Sequence, residues 1–447
     1  NSEGAALMPS YIIRSMRKMF SHCLKLSYKD TAQQNSYVTI PRAANSFDNT
    51  EIAANVDEDI IDSLTGGRLV GSVTSFENFA ECPLRYYLRY GVDLKEREEF
   101  TFSPVNFGVV LHAVIREVCD EIKKNGESYY LISEEKRREM VKRSVAAITD
   151  IYQNSILKDS SRNSFMIKRM EDLADRTVWA MGEQLKCGDF VPFVFEHKFN
   201  MEVGDGDRKQ LMSGTIDRVD ICENGTDVYV RIIDYKTGKK DFNIVKTYYG
   251  IDIQLMVYME AAMKLVAKMR PGKNVIPAGV FYYNISDPIV SATTESAEEI
   301  EDKIKGELRL KGMVNSDKDI AEKMDNNEGT SLNIPVSRKA DGGFDSRRSK
   351  VMNTEQFNML GIFVDVRAVD TADRIAGGDI RRSPYKDGQF SSCDRCPYGA
   401  VCGFSVDLPG CNYRKLKKFD DEVLWNNIKE GVDENGKKMD TGAEERD

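Results

Sequence analysis

The segments Gly214-Thr-Ile-Asp217-Arg-Val-Asp220 and Ile233-Asp234-Tyr235-Lys236 are the most informative part of this 447-residue sequence. They fall in two runs with strand-like alternation, Leu211 to Cys222 and Val228 to Lys236, and the residues between the runs include Asn224-Gly225. Asn-Gly is a strong short-range signal for a β-hairpin, because both residues tolerate a positive φ. The two segments are therefore predicted to be the strands of one antiparallel hairpin.

Three side chains of this hairpin favour phosphodiester hydrolysis. Successive side chains of a strand alternate faces, so Asp234 and Lys236 project to the same side, and Asp217 on the partner strand can lie near them. Two carboxylates suit a hard cation such as Mg²⁺ or Mn²⁺, and the lysine ammonium orients water or offsets developing charge. The alternative is an exposed hairpin with surface salt bridges. The apolar pair Ile232-Ile233 before Asp234 argues against it, because it indicates a buried strand.

Two predicted helices and a strand add polar residues to this candidate site. Gln254 and Tyr258 are four residues apart on one helix and so share a face, where they can hydrogen-bond a water or a phosphate. His112 follows Gly108 by four residues on another helix, and Glu196 points away from the phenylalanine face of a predicted strand. Taken alone, the Gln254/Tyr258 pair is typical of a helix surface. A single histidine such as His112 is typical of a partly buried imidazole without a ligand role.

Composition excludes several classes of protein. Lys+Arg 63 against Asp+Glu 72 gives a net charge of −9, which argues against coating nucleic acid by charge alone but leaves a local basic groove open. No apolar run approaches the ~18 residues that a membrane span needs. The motif G-x-x-x-x-G-K-[ST] does not occur, so no P-loop ATPase resides in this sequence. A start at Asn1 without a signal peptide leads us to expect a piece of a longer polypeptide or a trimmed product.

The rest of the sequence predicts a mixed α/β architecture. Helices are predicted over residues 1–30, 107–123, 134–187 with a break near 158–161, 249–267 and 354–372, and further strands over 193–199 and 278–283. Ser75 is expected to cap a helix that contains Phe79. Residues 30–70 resemble a linker, and the charged residues 284–350 a surface insertion with one helix near 297–311. The polar residues 421–447 are expected to be a frayed tail.

Nine cysteines without an export signal argue against a disulfide framework. Cys393, Cys396 and Cys402 form a C-x₂-C-x₅-C cluster, which indicates a bound metal, with unligated cysteines as the alternative. The fourth thiolate is either the nearby Cys411 or Cys82, which lies 311 positions before Cys393 (393 − 82). Four thiolates can hold either Zn²⁺ or a [4Fe–4S] cluster, and spacing alone does not separate the two.

Basic residues are concentrated near these cysteines: Arg381, Arg382, Lys386, Arg395, Arg414, Lys415, Lys417 and Lys418. Tyrosines at 385, 398 and 413 are interleaved with them. Phosphate neutralisation and base stacking together favour a groove for single-stranded DNA, with Arg381, Arg382 and Arg395 as contacts. A solvated charged face is the alternative.

In their order and spacing, the motifs resemble those of the RecB-type nucleases of the PD-(D/E)XK superfamily. The matching elements are Gly108-x-x-x-His112, Glu196, Gly214-Thr-Ile-Asp217-Arg-Val-Asp220, Asp234-Tyr-Lys236-Thr-Gly and Gln254-x-x-x-Tyr258. The resemblance implies a metal-dependent DNA nuclease with a restriction-endonuclease-like fold, a mixed central sheet flanked by helices. It implies that the metal ligands are His112, Asp217, Asp234 and the Tyr235 carbonyl. It also implies that Lys236 is the catalytic lysine and that Gln254 and Tyr258 are a supporting pair.

The cysteines resemble those of one branch, the AddB-type subunits of bacterial AddAB helicase–nucleases. Thr74-Ser75-Phe76-Glu77 and Cys82-Pro-Leu-Arg-Tyr-Tyr87 also fit that branch. The resemblance implies that a [4Fe–4S] cluster is bound by Cys82, Cys393, Cys396 and Cys402 and acts as a structural staple. It also implies an AddA-type helicase–nuclease partner that hydrolyses ATP, single-stranded DNA ends of unwound duplex as substrate, and a cytoplasmic bacterial location.

This resemblance predicts the domain organisation. Residues 1–70 are expected to end a preceding helicase-like region, 71–420 to form the nuclease domain, and 421–447 to form the polar tail. A free-standing iron–sulfur exonuclease of the same superfamily is one alternative, which the long insertion disfavours. A non-catalytic DNA-end-binding module is another, which the intact set of Asp217, Asp234 and Lys236 disfavours.

Overall fold

A mixed sheet runs through the centre of the structure, a computed structural model that describes residues 56–57, 70–95, 104–151, 161–203, 210–291, 296–408 and 411–444. These residues all belong to one compact unit, residues 53–447. The helix expected over residues 1–30 lies outside the described residues. So does the linker expected over 30–70, apart from residues 56–57 and 70.

The predicted hairpin is confirmed as the middle of this sheet. The strands are β1 (Val70–Ser72), β2 (Val191–Val203), β3 (Gln210–Asn224), β4 (Asp227–Lys236), β5 (Asn274–Asn284), β6 (Lys311–Asn315) and β7 (Val351–Met352). They follow the order β1-β3-β4-β5-β6-β7, with β2 antiparallel to β3. The β3–β4 and β5–β6 pairs are antiparallel, whereas β1–β3, β4–β5 and β6–β7 are parallel. The two turn residues are Gly225 and Thr226, whereas Asn224 ends β3 opposite Asp227. Gly225 takes φ 60°, so the glycine of the Asn-Gly signal provides the one positive φ of this turn, and Asn224 does not.

Helices and a small second sheet surround the central sheet. The helices are α1 (Val73–Glu81), α2 (Pro83–Tyr86) with a π-helical turn (Tyr87–Gly91), α3 (Pro104–Lys124), α4 (Glu134–Ile151), α5 (Ser161–Lys186), α6 (Ile244–Tyr248), α7 (Gln254–Met269), α8 (Ala297–Glu307), α9 (Lys318–Met324), α10 (Thr354–Ala376), α11 (Gly399–Cys402) and α12 (Asp421–Glu444). The second sheet contains β8 (Tyr385–Asp387), β9 (Phe390–Ser391) and β10 (Arg414–Lys415). None of the described helices is both long and apolar enough to cross a membrane.

Apolar side chains line both faces of the central sheet, and β4 is buried on both sides over Val228–Tyr235. Ile233 and Phe281 face one core, which is completed by α3, α4 and α5. Ile232 and Val280 face the other core, completed by α7, α10 and α12. The expected α/β fold, a mixed central sheet flanked by helices, is confirmed.

The expectation that residues 284–350 form a surface insertion is wrong for much of that segment. Its strand β6 pairs with β5 inside the central sheet. Leu310, Ile320 and Val336 are buried in the core beside α3 to α5. Charged residues dominate the composition of the segment, but several of its apolar residues reach this core, although Ile289 is fully exposed.

The expectation of a frayed tail over residues 421–447 is wrong at its start. Helix α12 begins at Asp421, and its Leu424 and Ile428 are buried against the core that α10 completes. These two residues, four positions apart, form a short buried stripe, and Trp425 and Val432 pack against the same core, so one face of this largely polar helix is docked.

Helix α1 starts three residues earlier than the sequence predicts. Ser72, not Ser75, is its N-cap, and the Ser72 Oγ accepts a hydrogen bond from the backbone N–H of Ser75 at 3.1 Å. Ser75 is itself helical, and its hydroxyl donates to the Ser72 carbonyl at 2.7 Å. Strand β1 therefore runs directly into α1, without a connecting loop.

Candidate active site

Strand β3 has two successive partners along one edge, and Asp217 lies between them. Strand β1 pairs with Leu211–Ser213 and β4 pairs with Arg218–Asn224, while β2 occupies the opposite edge. In this interval the backbone N–H of Tyr235 donates to Asp217 Oδ2 at 2.6 Å. The other carboxylate oxygen, Oδ1, lies 3.3 Å from His112 Nδ1. Neither β1 nor β4 pairs with β3 at Asp217, which leaves a gap in the sheet. At this gap one oxygen of the Asp217 carboxylate contacts a group outside the strands.

Asp234 and Lys236 lie beside Asp217 on the same face. Continuing the register from the pair Arg218↔Ile233 places Asp234 opposite Asp217, and opposed side chains of antiparallel strands share a face. Lys236 Nζ is 2.5 Å from Asp234 Oδ2. Burial raises the pKa of Asp234 to about 7, with a further rise from the charge of Asp217 and an opposing effect of Lys236. The three groups of the hairpin are thus brought together at the rim of the sheet.

Gln254 and Tyr258 lie on α7, against the same lysine. Lys236 Nζ donates to Gln254 Oε1 at 2.9 Å, and Gln254 Nε2 donates to the Tyr258 hydroxyl at 2.9 Å. The Tyr258 ring meets Phe199 edge-on at 5.6 Å between centroids. Gly214 allows this contact, because a Cβ there would lie 3.0 Å from the Tyr258 ring and 2.7 Å from Phe199.

His112 reaches the site from α3, on the other face of the sheet. Its Nδ1 lies 3.3 Å from Asp217 Oδ1 and 3.7 Å from Glu196 Oε1. Burial opposes protonation of this imidazole, but its interactions with the carboxylates of Asp217 and Glu196 outweigh burial and raise the pKa of His112 to about 10. The Tyr235 ring packs edge-on against it at 5.9 Å. The site therefore lies where helices from both faces of the sheet meet its rim.

Glu196 is the site residue to which the sequence gives least weight. Together with His112 and Asp217 it places three ligand atoms within 4.8 Å of one another. It adopts φ 48° inside β2, a left-handed conformation that costs a non-glycine residue about 1–3 kcal/mol. Strand alternation predicted only that Glu196 points away from the phenylalanine face of β2. The left-handed conformation at Glu196 has no signal in the sequence.

Cys82, Cys393, Cys396 and Cys402 converge at the end of α1. Burial raises the pKa of the Cys393 thiol, and Cys82, Cys396 and Cys402 each add to the rise, so the four sulfur atoms lie within electrostatic range of one another. The same holds for Cys402, whose pKa is raised by burial and then by Cys82 and Cys396. Cys411 is not among the groups that act on these thiols.

The three candidate DNA-binding arginines make contacts within the chain. Arg381 donates to Asp379 through Nε at 2.9 Å and Nη2 at 2.7 Å, although its side chain remains 55% exposed. Arg382 Nη1 donates to the Cys402 carbonyl at 3.3 Å. The Arg395 guanidinium lies 5.8 Å from the centre of the Phe390 ring. Of the three, Arg382 thus contacts the cysteine segment directly, through the Cys402 carbonyl.

The fold and the site together define a class of protein. The family model described as the PD-(D/E)XK nuclease superfamily matches residues 71–403, which include the central sheet, His112, Glu196 and the acidic hairpin. The chain belongs to this superfamily.

Individual relatives are named as the B-type subunit of an ATP-dependent helicase/deoxyribonuclease. The one from Lachnoclostridium phytofermentans is 34% identical over 399 residues, which cover 87% of this chain and 34% of the relative. The one from Clostridium acetobutylicum is 34% identical over 383 residues, 83% of this chain and 33% of the relative. The one from Thermoanaerobacter pseudethanolicus is 33% identical over 380 residues, with shares of 83% and 33%. The chain thus spans about a third of the length of these relatives.

Proposed function

We propose that this chain is the metal-dependent DNA nuclease portion of an AddB-type helicase/deoxyribonuclease subunit, with its nuclease domain at residues 71–420. It cleaves one strand of unwound duplex during the recombinational repair of double-strand breaks. The observation that carries the proposal is the placement of Asp217, Asp234 and Lys236 on one face at a gap in the sheet. His112 and Glu196 complete the group from α3 and β2.

Mg²⁺ or Mn²⁺ is the proposed catalytic cofactor. The imidazole and carboxylate donors of His112, Glu196 and Asp217 fit such an ion, since their ligand atoms lie within 4.8 Å of one another and hard cations prefer oxygen-rich sites. The proposed ligands are His112, Asp217, Asp234 and the Tyr235 carbonyl, with Glu196 as an additional carboxylate. When bound, the cation supplies positive charge for the phosphoryl group and lowers the pKa of a bound water.

Lys236 is proposed to act directly on the phosphate or on the attacking water. Its ammonium has three protons; one points to Gln254 Oε1 at 2.9 Å, and Asp234 Oδ2 lies 2.5 Å away. This ammonium is proposed to stabilise charge that develops on a phosphate oxygen. The hydrogen bond from Gln254 Nε2 to Tyr258 sets the orientation of the amide, so that its oxygen faces the lysine.

A [4Fe–4S] cluster bound by Cys82, Cys393, Cys396 and Cys402 is the proposed second cofactor. The effects of Cys82, Cys396 and Cys402 on the pKa of the Cys393 thiol support one shared site for the four sulfur atoms. Four thiolates can hold either Zn²⁺ or a [4Fe–4S] cluster, and the resemblance of the cysteine pattern to AddB-type subunits favours the cluster. Its proposed role is structural rather than redox.

The proposed setting is a heterodimer in the bacterial cytoplasm. The names of the relatives describe an ATP-dependent enzyme with more than one subunit. We propose an AddA-type helicase–nuclease as the partner that hydrolyses ATP, and single-stranded ends of the unwound duplex as the substrate. Arg381, Arg382 and Arg395 are proposed to contact this strand, because their positive charges lie in a segment with interleaved tyrosines, and Arg395 lies against the Phe390 ring.

Cleavage of end-labelled single-stranded DNA with and without Mg²⁺ tests the proposal. The wild-type chain is expected to cleave only with the metal, and Asp234→Ala is expected to lower the rate about 100-fold or more, because it removes a carboxylate from the metal and frees Lys236. Asp241→Asn is the matched control, since Asp241 lies five residues after Lys236 and pairs on the surface with Lys350. Equal cleavage by wild type and Asp234→Ala, or DNA-end binding without cleavage by either, would contradict the proposal.

A further inference from the structure

Glu77 of α1 caps a helix to which it is not connected in sequence. Its Oε1 accepts hydrogen bonds from the backbone N–H groups of Ile253 and Gln254, each at 3.0 Å, across 176 and 177 residues of chain. The residue at the N-cap position of α7 is Ile253, whose side chain provides no acceptor. The first N–H groups of a helix need an outside acceptor, and for two of those at the start of α7 that acceptor is Glu77.

The capped residue is the one that contacts the proposed catalytic lysine. Gln254 opens α7, and its side chain links Lys236 Nζ to the Tyr258 hydroxyl through two hydrogen bonds of 2.9 Å. Any displacement of the first turn of α7 moves the Gln254 amide and, with it, one of the two groups that hold the ammonium. A carboxylate at this end of the helix also interacts favourably with the helix dipole.

The surroundings hold Glu77 in place. Lys240 Nζ is 3.0 Å from Asp252 Oδ1, and the Tyr282 hydroxyl donates to the same carboxylate at 2.7 Å. Burial raises the pKa of Glu77 to about 7, with a further rise from Asp252, while Lys240 and Lys236 oppose it. Two lysines, one carboxylate and two backbone N–H groups therefore surround Glu77.

The other end of α1 belongs to the cysteine segment. Cys82 follows the last residue of α1, and the Arg414 guanidinium donates to the carbonyls of Ala80 and Glu81 at that end. The same helix thus joins the four cysteines to the first turn of α7.

We propose that Glu77 is a positioning residue, which sets the place of Gln254, and through it of Lys236, by capping α7 from α1. This proposal rests on the proposed nuclease function for its effect on rate, but not for its effect on the helix. Helix α1 then has two roles: it presents Cys82 to the cysteine cluster at one end and aligns the lysine at the other.

The test compares Glu77→Met, which keeps the length of the side chain but has no strong acceptor, with Glu77→Gln, which keeps an acceptor oxygen. Glu77→Met is expected to lower kcat about 10-fold, because misplaced catalytic groups lose rate steeply, while KM for DNA stays within about 2-fold. Glu77→Gln is expected to retain kcat within about 3-fold of wild type. Hydrogen exchange of the peptide that contains Ile253 and Gln254 is expected to be faster in Glu77→Met only.

Glu81→Gln is the matched control, because Glu81 lies one turn further along α1 and pairs with Arg85 instead of α7. If Glu77→Met does not fold, Glu77→Asp replaces it, since the shorter side chain withdraws the carboxylate and keeps its charge. Wild-type kcat and exchange in Glu77→Met, or losses in Glu77→Gln as large as in Glu77→Met, would overturn the proposal. A wild-type chain without nuclease activity would refute the proposed function, and the exchange data would still decide whether Glu77 holds α7.

Discussion

Individual carboxyl groups in this protein lie in sharply different environments. Asp220 is fully buried between Arg218 and Arg231, 2.6 Å and 2.9 Å away. Burial alone would raise its pKa, but the two guanidinium groups outweigh burial and lower it. Asp234 is also buried, and burial together with the charge of Asp217 raises its pKa to about 7 against the opposing effect of the Lys236 ammonium. The first environment stabilises a permanent charge in the core, and the second suits a group that binds a cation.

A third carboxyl group, Asp365 of α10, makes stability depend on pH. Burial raises the pKa of Asp365 to about 8, and a hydrogen bond with Glu260 and its charge add to the rise. From about pH 4 to about pH 8 the unfolded chain releases this proton and the folded chain keeps it, so wild-type stability falls as the pH rises through that window. Asp365→Asn removes this dependence, and we expect it to be more stable than wild type by about 1–2 kcal/mol at pH 8 but similar at pH 4.

Urea unfolding of both proteins at pH 4, 6 and 8 measures this difference, and ionisation elsewhere in the chain cancels in the comparison. Asp370→Asn is the control on the same helix, because Asp370 is about half exposed and pairs only loosely with Arg374 at 3.8 Å. If the urea midpoint of Asp365→Asn changed with pH in the same way as that of the wild type, the hydrogen bond between the Asp365 and Glu260 carboxyl groups would not be the source of the pH dependence.

Among the elements, α12 shows how little apolar surface is needed to dock a polar helix. Ile428 is completely buried and Leu424 nearly so, in the core that α10 completes. Ile428→Ala is expected to lower the free energy of unfolding by about 2–4 kcal/mol, since removing a buried aliphatic side chain loses its transfer energy and leaves a cavity. Chemical unfolding followed by tryptophan fluorescence measures the loss, and Trp425 on the same helix reports on it locally.

Val423→Ala provides the comparison for this helix. Val423 is 46% exposed, on the side of α12 that faces away from the core. Its truncation is expected to change stability by less than about 0.5 kcal/mol, as at most surface positions. Equal effects of the two substitutions would mean that α12 does not pack on the core in solution.

For the whole molecule, the proposed [4Fe–4S] cluster joins parts of the chain that are 311 positions apart, Cys82 and Cys393 (393 − 82). A link that closes so long a loop removes much chain entropy from the unfolded state, and metal binding adds its own free energy to folding. Cys396→Ala is therefore expected to lose iron and several degrees of thermal stability together, about 5 °C or more.

Iron content after anaerobic purification and thermal unfolding of the same samples measure both effects. Cys187→Ala is the control for loss of a thiol, because Cys187 lies at the end of α5 and is absent from the four-cysteine group. Unchanged thermal unfolding in a Cys396→Ala protein that has lost its iron would contradict the staple. A colourless wild-type protein that contains zinc would instead support a single Zn²⁺ ion bound by the four cysteines.

Local sequence patterns were sufficient to predict the parts of this protein that depend on neighbouring residues. The Asn224-Gly225 turn and alternation predicted the hairpin, and with it the common face of Asp234 and Lys236. Spacing by four residues predicted that Gln254 and Tyr258 share one side of α7, where they hydrogen-bond to each other. These patterns work because turn chemistry, strand alternation and helical periodicity act over a few residues.

Only the tertiary structure decided what depends on contacts between distant segments. The distortion that aims Glu196 at His112, the capping of α7 by Glu77 across 176 residues, and the burial of β6 and α12 all arise where separate elements meet. In each case the local sequence is compatible with another outcome: a regular strand, an exposed acid, an insertion or a frayed tail. The choice between these outcomes is made by the free energy of packing and hydrogen bonding in the assembled fold, which local sequence patterns do not contain.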